Sequence, residues 1–289
     1  MKYRRKYNTH FISNMKKFLF LVLFFLCAAQ ALQAQTMYQL LKYPKMTIKG
    51  VWELSEHDNN VVQLNYYNND RCPYLLYVID NKKFYTVFPG KNTVYSKKRS
   101  APDDPFSKNT YYFYRGKFPK NLNPAFVYAM PVAEGVEVEW MIDPRERMRS
   151  YFFKINYADT VYAARSGMVC SSEFENGLLV YHGDDTFGAY LNLSQRFVDA
   201  GSTVKVGEPI GLAHMGGVSF SVFFLDENLF HADKPKSYPY SQITPYFRTD
   251  KGDVKLEKGV KYSAVKDDPL IMQEMSKSEQ KRYLKNKKK

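Results

Sequence analysis

The sequence predicts a mainly β chain of two domains followed by a short basic helix. Two observations carry this expectation. From Val61 onward, short stretches rich in Tyr, Val, Phe and Leu alternate with turn clusters, the pattern of antiparallel strands. From Pro269 the character changes: LIMQEMSKSEQKRYLKNKKK holds helix formers, no glycine and apolar residues near helical spacing.

The chain opens with an export signal. FLFLVLFFLCAA (Phe18 to Ala29) is apolar throughout, follows Lys16 and Lys17, and leads into small residues around Ala31 and Ala34. This is the layout of a secretory signal peptide, and it is too short to span a bilayer as a helix. Cleavage is expected after Ala34, and Met15 is an alternative start. An acylated Cys27 is disfavoured because Leu26 precedes it. The expected location is therefore the periplasm or the outer membrane.

Charge narrows the function classes. The formal net charge is +13, but residues 1–34 hold six Lys and Arg and no acid, which leaves 36 basic against 29 acidic residues beyond them. Residues 277–289 carry seven more basic groups against Glu279 alone, so residues 35–276 stand at 29 against 28. No basic stripe for nucleic acid remains in the globular part. Cys72 and Cys170 are the two thiols outside the leader, with no C-x-x-C spacing. They read as two separately buried thiols or as one bridge in an oxidising compartment.

In the first domain, residues 35–145, VVQLNYY, YLLYVID, NKKFYTVF, PGKNTVY and TYYFYRGKF are the expected strands. Their spacing suits a small sandwich of immunoglobulin-like kind. RSAPDDPFSKN is a connection, with two prolines and adjacent acids. The tyrosines fit strand packing, which enriches them without any carbohydrate ligand.

PKNLNPAFVYAMPVAEG joins the halves, and a second β domain is expected over 150–265. DTVYAARSGMVCSSEF, NGLLVYHGDD, FGAYLNLSQRF, STVKVGEPIGLAHMGG and VSFSVFFLDE succeed one another as strands, with glycines at the reversals. Residues 269–289 form the basic helical tail.

Five of these motifs, in order, resemble the lysostaphin-type (LytM-type, duplicated hybrid motif) zinc endopeptidases of bacterial cell walls. They are TVYAARSGMV, LLVYHGDD, AYLNL, VKVGEPIG and SFSVFF, over roughly residues 150–225. The upstream stretches NNDRCPYLLYVIDN, VFPGKN, TYYFYRGKF and VYAMPVAEG resemble the β region ahead of this domain in Bacteroidetes-type secreted proteins, and ITPYFRTDKGDVKLEKGVKY resembles their closing strands.

The resemblance implies a fold and a site. Such a peptidase holds zinc through three protein ligands and leaves a position open for water. In the family these are a His and an Asp near the domain entrance and the second His of His-x-His. The first His of that pair and the His of Tyr-x-His-Leu assist. Here Tyr-x-His-Leu reads Tyr190-Leu191-Asn192-Leu193, His-x-His falls on Ser219 and Ser221, and the entrance pair falls near Ser150 and Lys154. Asn supplies no imidazole lone pair, serine hydroxyls are poor zinc ligands, and Lys154 would set a positive charge at a cation site. Zinc and catalysis are therefore expected to be absent.

Other donors are weaker candidates. His182 aligns with a His-Gly turn that is not a ligand in the family. His214, His231 and Asp226 or Asp233 lie in loops without ligand spacing. Ser219 or Ser221 with His214 as a base lacks a third group to orient it.

The expected function is thus a catalytically inactive binding or regulatory module of the envelope. Its partner would be a peptidoglycan stem peptide or a wall hydrolase, met in a groove lined by Tyr190, Asn192, Ser219, Ser221, Lys154 and His214. Two alternatives stand beside it. One is an active metallopeptidase with non-standard ligands. The other is a structural scaffold whose basic tail touches anionic lipid.

Overall fold

The computed structural model describes residues 40–41, 47–79, 82–101, 111–142, 150–230 and 238–287. The expected signal peptide, His231 and Asp233 lie outside these residues.

Residues 48–115 form two three-stranded antiparallel sheets. One has the order β1-β2-β5, from β1 (Ile48–Leu54), β2 (Val61–Asn68) and, after the next two strands, β5 (Gly90–Lys98). The other has the order β4-β3-β6, from β3 (Tyr74–Val78), β4 (Lys83–Val87) and β6 (Tyr111–Arg115). Leu64 and Tyr66 of the first sheet pack on Leu76, Val78 and Val87 of the second. This is the small sandwich that the strand spacing predicts. All five residues of β3 are buried, so a strand of alternating side chains has no solvent face. Leu76 and Val78 serve the sandwich core, whereas Leu75 and Tyr77 pack with Leu225, Phe230 and Tyr240 from further along the chain.

The second unit contains β7 (Val127–Ala129), β8 (Glu137–Ile142), β9 (Tyr151–Lys154), β10 (Thr160–Tyr162), β11 (Gly167–Val169), β12 (Gly177–Tyr181) and β13 (Thr186–Leu191). It continues with β14 (Leu193–Arg196), β15 (Thr203–Val204), β16 (Pro209–Ala213), β17 (Val218–Leu225) and β18 (Tyr240–Ile243). β19 (Tyr246–Thr249), β20 (Gly252–Val254) and β21 (Tyr262–Ser263) complete it. Its main sheet runs β15-β11-β12-β13-β17-β9-β8-β21, with β18 also paired to β17. Val138, Tyr151, Phe153, Leu178, Val180, Tyr190, Val218, Phe220 and Val222 line one face of that sheet and form the largest core with the smaller sheets β10-β16-β14 and β20-β19-β7.

The pairing places the junction earlier in the chain than the expected start at 150. β7 lies parallel to β19, and β8 pairs with both β9 and β21. Residues from 127 onward are therefore hydrogen-bonded into the second unit.

The tail is two helices, α1 (Asp268–Met272) and α2 (Lys277–Lys287). Asp267 caps α1 through a bond from Leu270 N. Tyr283 Oη and Lys287 Nζ both donate to Asp268 Oδ1, which folds α2 back on α1. Among the described residues no helix is long and apolar enough to cross a membrane.

Candidate functional site

β17 is the centre of the site because both His-x-His positions, Ser219 and Ser221, lie on it. Strand pleating sends Ser219, Ser221 and Phe223 to one face and Val218, Phe220 and Val222 to the other. Directly paired residues in an antiparallel ladder share a face. Ser219 stands opposite Leu191, Ser221 opposite Ala189 and Phe223 opposite Phe187. The next strand extends the row with Leu179 opposite Ala189 and Tyr181 opposite Phe187. The face that carries the two serines is thus apolar around them, with Phe152 of β9 opposite Ser219, and has Gln242 of β18, Lys154 of β9 and Glu139 of β8 as further polar members.

That face is covered over β12, β13 and the Phe223 end of β17, and it is open over β9 and β8, where Met141 is 61% exposed. Leu179, Phe187, Ala189, Leu191 and Phe223 form one buried cluster with Leu40, Leu41, Cys72, Tyr74 and Cys170. Leu40 is 0% and Leu41 5% exposed, while Cys72 and Tyr74 come from the turn and strand of the N-terminal sandwich. On the same face Ser219 is 6% and Ser221 1% exposed, and Ser221 Oγ has no hydrogen-bond partner among the described residues.

Asn192 sits where β13 turns into β14, at φ +66°, a conformation that Asn adopts more readily than most residues. Its Nδ2 donates to Gly217 O at 2.7 Å and to Met215 O at 3.2 Å. Its own carbonyl accepts from His214 N at 2.8 Å. The side chain closes the β16–β17 turn. Gly217 in that turn has φ +135°, and a Cβ there would lie 2.0 Å from Phe153 O, so the turn admits only glycine at this point.

Of the remaining groove candidates, Lys154 shares the serine face, two residues beyond the Phe152 that lies opposite Ser219, and Tyr190 does not. Tyr190 is fully buried in the main core, on the opposite face of the sheet from the serines, and its hydroxyl accepts from Ala164 N at 2.7 Å. It lines no groove because alternation along β13 turns it away from Ala189 and Leu191. Lys154 is exposed at the sheet surface and pairs with Glu139 at 3.2 Å across the β8–β9 ladder. His214 is exposed in the turn, its ring edge-on to Tyr157. Asp226 accepts from Asn228 N and Ser241 Oγ as a local cap.

His182 is wholly buried, and its Nδ1 lies 2.8 Å from Ser166 O. A carbonyl only accepts, so Nδ1 carries the proton. Burial, reinforced by the Arg165 charge, lowers its pKa to about 3. Arg165 is the hub beside it. Its guanidinium reaches Asp184 and Glu274, each at 2.8 Å, and lies 3.6 Å from the Phe126 ring centre. This ties the His-Gly turn to the segment between α1 and α2.

Two further buried groups have no place in the sequence reading. The Asp70 and Arg115 side chains are completely buried and 3.3 Å apart. Arg115 Nη1 donates to Ser171 O at 2.7 Å, and Ser171 N donates to Asp70 Oδ1 at 2.8 Å. The signal was present in NNDRC, an acid two residues before a cysteine, but it sits in what reads as a turn cluster.

The chemistry of the donors can be set against zinc. Asn192, Ser219 and Ser221 offer an amide and two neutral hydroxyls, the amide is committed to two carbonyls, and the hydroxyls face an apolar cluster. This set does not fit Zn²⁺. Among the described residues, the one group of three ligand-type side chains is Asp70, Cys72 and Cys170, and the Arg115 guanidinium lies beside it.

Residues 147–224 match the profile of Peptidase family M23. Among solved structures, the catalytic domain of lysostaphin from Staphylococcus simulans is similar at 19% identity over 40% of this chain and 86% of that one, with TM-score 0.26. The M23 metalloprotease pseudoalterin is similar at 15% identity over 49% and 92%, with TM-score 0.33. Csd3 of Helicobacter pylori is similar at 13% identity over 83% and 77%, with TM-score 0.28. No curated protein matches the chain in sequence.

Proposed function

We propose that this chain, whose residues 147–224 carry the M23 peptidase pattern, is a non-catalytic envelope protein that regulates or recruits a cell-wall hydrolase. One observation supports this above others. At the family's His-x-His positions stand Ser219 and Ser221, 6% and 1% exposed, on the sheet face part of which Leu40, Leu41, Cys72 and Tyr74 cover. A hydrolytic centre needs ligand lone pairs for the metal and an open path for substrate. Neither serine supplies the first, and the cover opposes the second.

The same cover favours a partner protein over a bare stem peptide. A peptide lying along the whole serine face requires the N-terminal sandwich to leave the sheet, which exposes the cluster around Leu179 and Phe187 to water at a cost of about 25 cal/mol for each Å² of apolar surface. The exposed residues of the sheet β1-β2-β5 and of the basic helix α2 offer surface for association. Contact between α2 and anionic lipid is the accessory role that its exposed lysines allow.

The test is turnover against binding. The purified chain incubated with peptidoglycan sacculi should release no soluble peptide, and it should change the rate at which an added M23-type hydrolase does so. Chelator-sensitive release by the chain alone would refute the proposal and favour a metallopeptidase with non-standard ligands.

A further inference from the structure

Cys72 and Cys170 are about a hundred residues apart in sequence, one in the turn before β3 of the sandwich and the other just after β11 of the second unit. Both are free and buried, and their sulfurs lie within 4.8 Å of each other. The backbone on both sides of the sulfur pair is clamped. Asp70, two residues before Cys72, accepts from Ser171 N, and Arg115, at the end of β6, donates to Ser171 O. Asp70 Oδ2 also accepts from Tyr74 Oη at 2.6 Å, which fixes the other side of Cys72. The two thiols thus belong to two structural units and are held in register by a buried ion pair that flanks them.

We propose that Cys72 and Cys170 form a disulfide that fastens the N-terminal sandwich over the Ser219–Ser221 face. The proposal rests on the export reading for its cellular setting, because disulfides persist in oxidising compartments. The chemistry is thiol–disulfide exchange with a disulfide donor. The Cys72 thiolate attacks one donor sulfur and releases the first donor thiolate. The Cys170 thiolate then attacks the Cys72 sulfur of the mixed disulfide and releases the second. Two protein thiols lose their hydrogens, and one donor disulfide becomes two thiols. Closing the bond needs a sulfur approach from within 4.8 Å to about 2.05 Å.

Metal binding by the same atoms is the competing use, and the surroundings oppose it. Asp70 Oδ1 already accepts from Arg71 N and Ser171 N, and Oδ2 faces Tyr74 and the Arg115 guanidinium. A second cation there would meet an unscreened positive charge. Burial, reinforced by the Cys170 contact, pushes the Cys72 thiol well above the ordinary range. The folded dithiol therefore exchanges slowly, and oxidation belongs to the stage when the two units dock.

The test refolds the full chain from reduced, denatured protein in a mixture of oxidised and reduced glutathione, followed by acid quenching, alkylation and peptide mapping. The expected product is a Cys72–Cys170 cross-linked peptide two hydrogens lighter than its separate parts, with Cys27 alkylated. It should resist dithiothreitol until the chain unfolds. The reduced chain should unfold at a lower denaturant concentration than the oxidised one, a comparison that requires no substitution. Full alkylation of Cys72 and Cys170 would overturn the proposal, as would a bridge to Cys27. One zinc per reduced chain, lost in Cys72→Ser, would overturn it in favour of a metal site. The same refolded protein assayed on sacculi separates this result from the functional reading, because hydrolysis and bridge formation are read independently.

Discussion

Ser221 stands directly across the sheet from Ala189, enclosed to 1% exposure, with a hydroxyl that bonds to nothing among the described residues. Ala189 packs in one buried cluster with Leu40, Leu41 and Cys72. Side-chain size at this pair thus bears on how the two units dock.

That packing opposes a zinc site built at these positions. The triple change Asn192→His, Ser219→His and Ser221→His should lower stability by about 1–3 kcal/mol or more, since imidazoles overfill a packed layer. It should not yield a stoichiometric zinc protein while the sandwich remains seated. Calorimetry together with metal analysis checks both parts, and a stable variant with one zinc would show that the layer is open.

Asn192 is held by its backbone conformation and by two carbonyls. Asn192→Ala should cost about 1–3 kcal/mol, from lost hydrogen bonds and from strain at positive φ. Asn192→Gly should recover the strain part alone. Denaturant midpoints of the three proteins give the comparison, and an unchanged Ala variant would remove the structural role assigned here.

His182 gives a pH dependence whose sign is fixed. Its folded pKa, about 3, lies below the unfolded value near 6.5. Its stabilising contribution is therefore complete above about pH 6.5 and is lost as pH falls towards 3. The full loss is on the order of 4 kcal/mol. Asp184 is lowered as well, after the opposing effect of burial, by the Arg165 charge, and it adds loss at the acid end. His182→Asn can keep the bond to Ser166 O and has no proton to gain. The difference in unfolding free energy between wild type and variant should therefore shrink between pH 6.5 and 4. A constant difference would contradict the burial of a neutral imidazole.

Arg165 joins Asp184 to Glu274. Arg165→Met should cost about 3 kcal/mol by leaving two carboxylates without their cation. Limited proteolysis should then cut near α1 and α2 sooner than in the wild type, since Glu274 is the anchor of that segment. Equal cutting rates would show that the tail is held by other contacts.

The strands, the six-stranded sandwich and the basic end were legible because period-two patterns and turn residues are local signals. So were Ser219 and Ser221 as a facing pair, since two-residue spacing fixes their face. Which way that face points was not legible. Tyr190 reads as a groove residue until β13 is placed beside β17, when alternation puts it in the opposite core. Lys154 reads as an entrance residue until the β8–β9 ladder brings Glu139 to it. The cover by Leu40, Leu41 and Cys72 depends on contacts more than a hundred residues apart in sequence, where no periodicity reports. The same holds for the sulfur pair, because spacing could not choose between two buried thiols and one bridge.

The most direct measurement of the central claim is zinc content, by elemental analysis of the chain purified without chelator or affinity tag. The account predicts a ratio far below one zinc per chain, unchanged by added zinc followed by dialysis. A ratio near one, with His182, His214 or His231 required to hold it, would contradict the account and return the chain to the metallopeptidases.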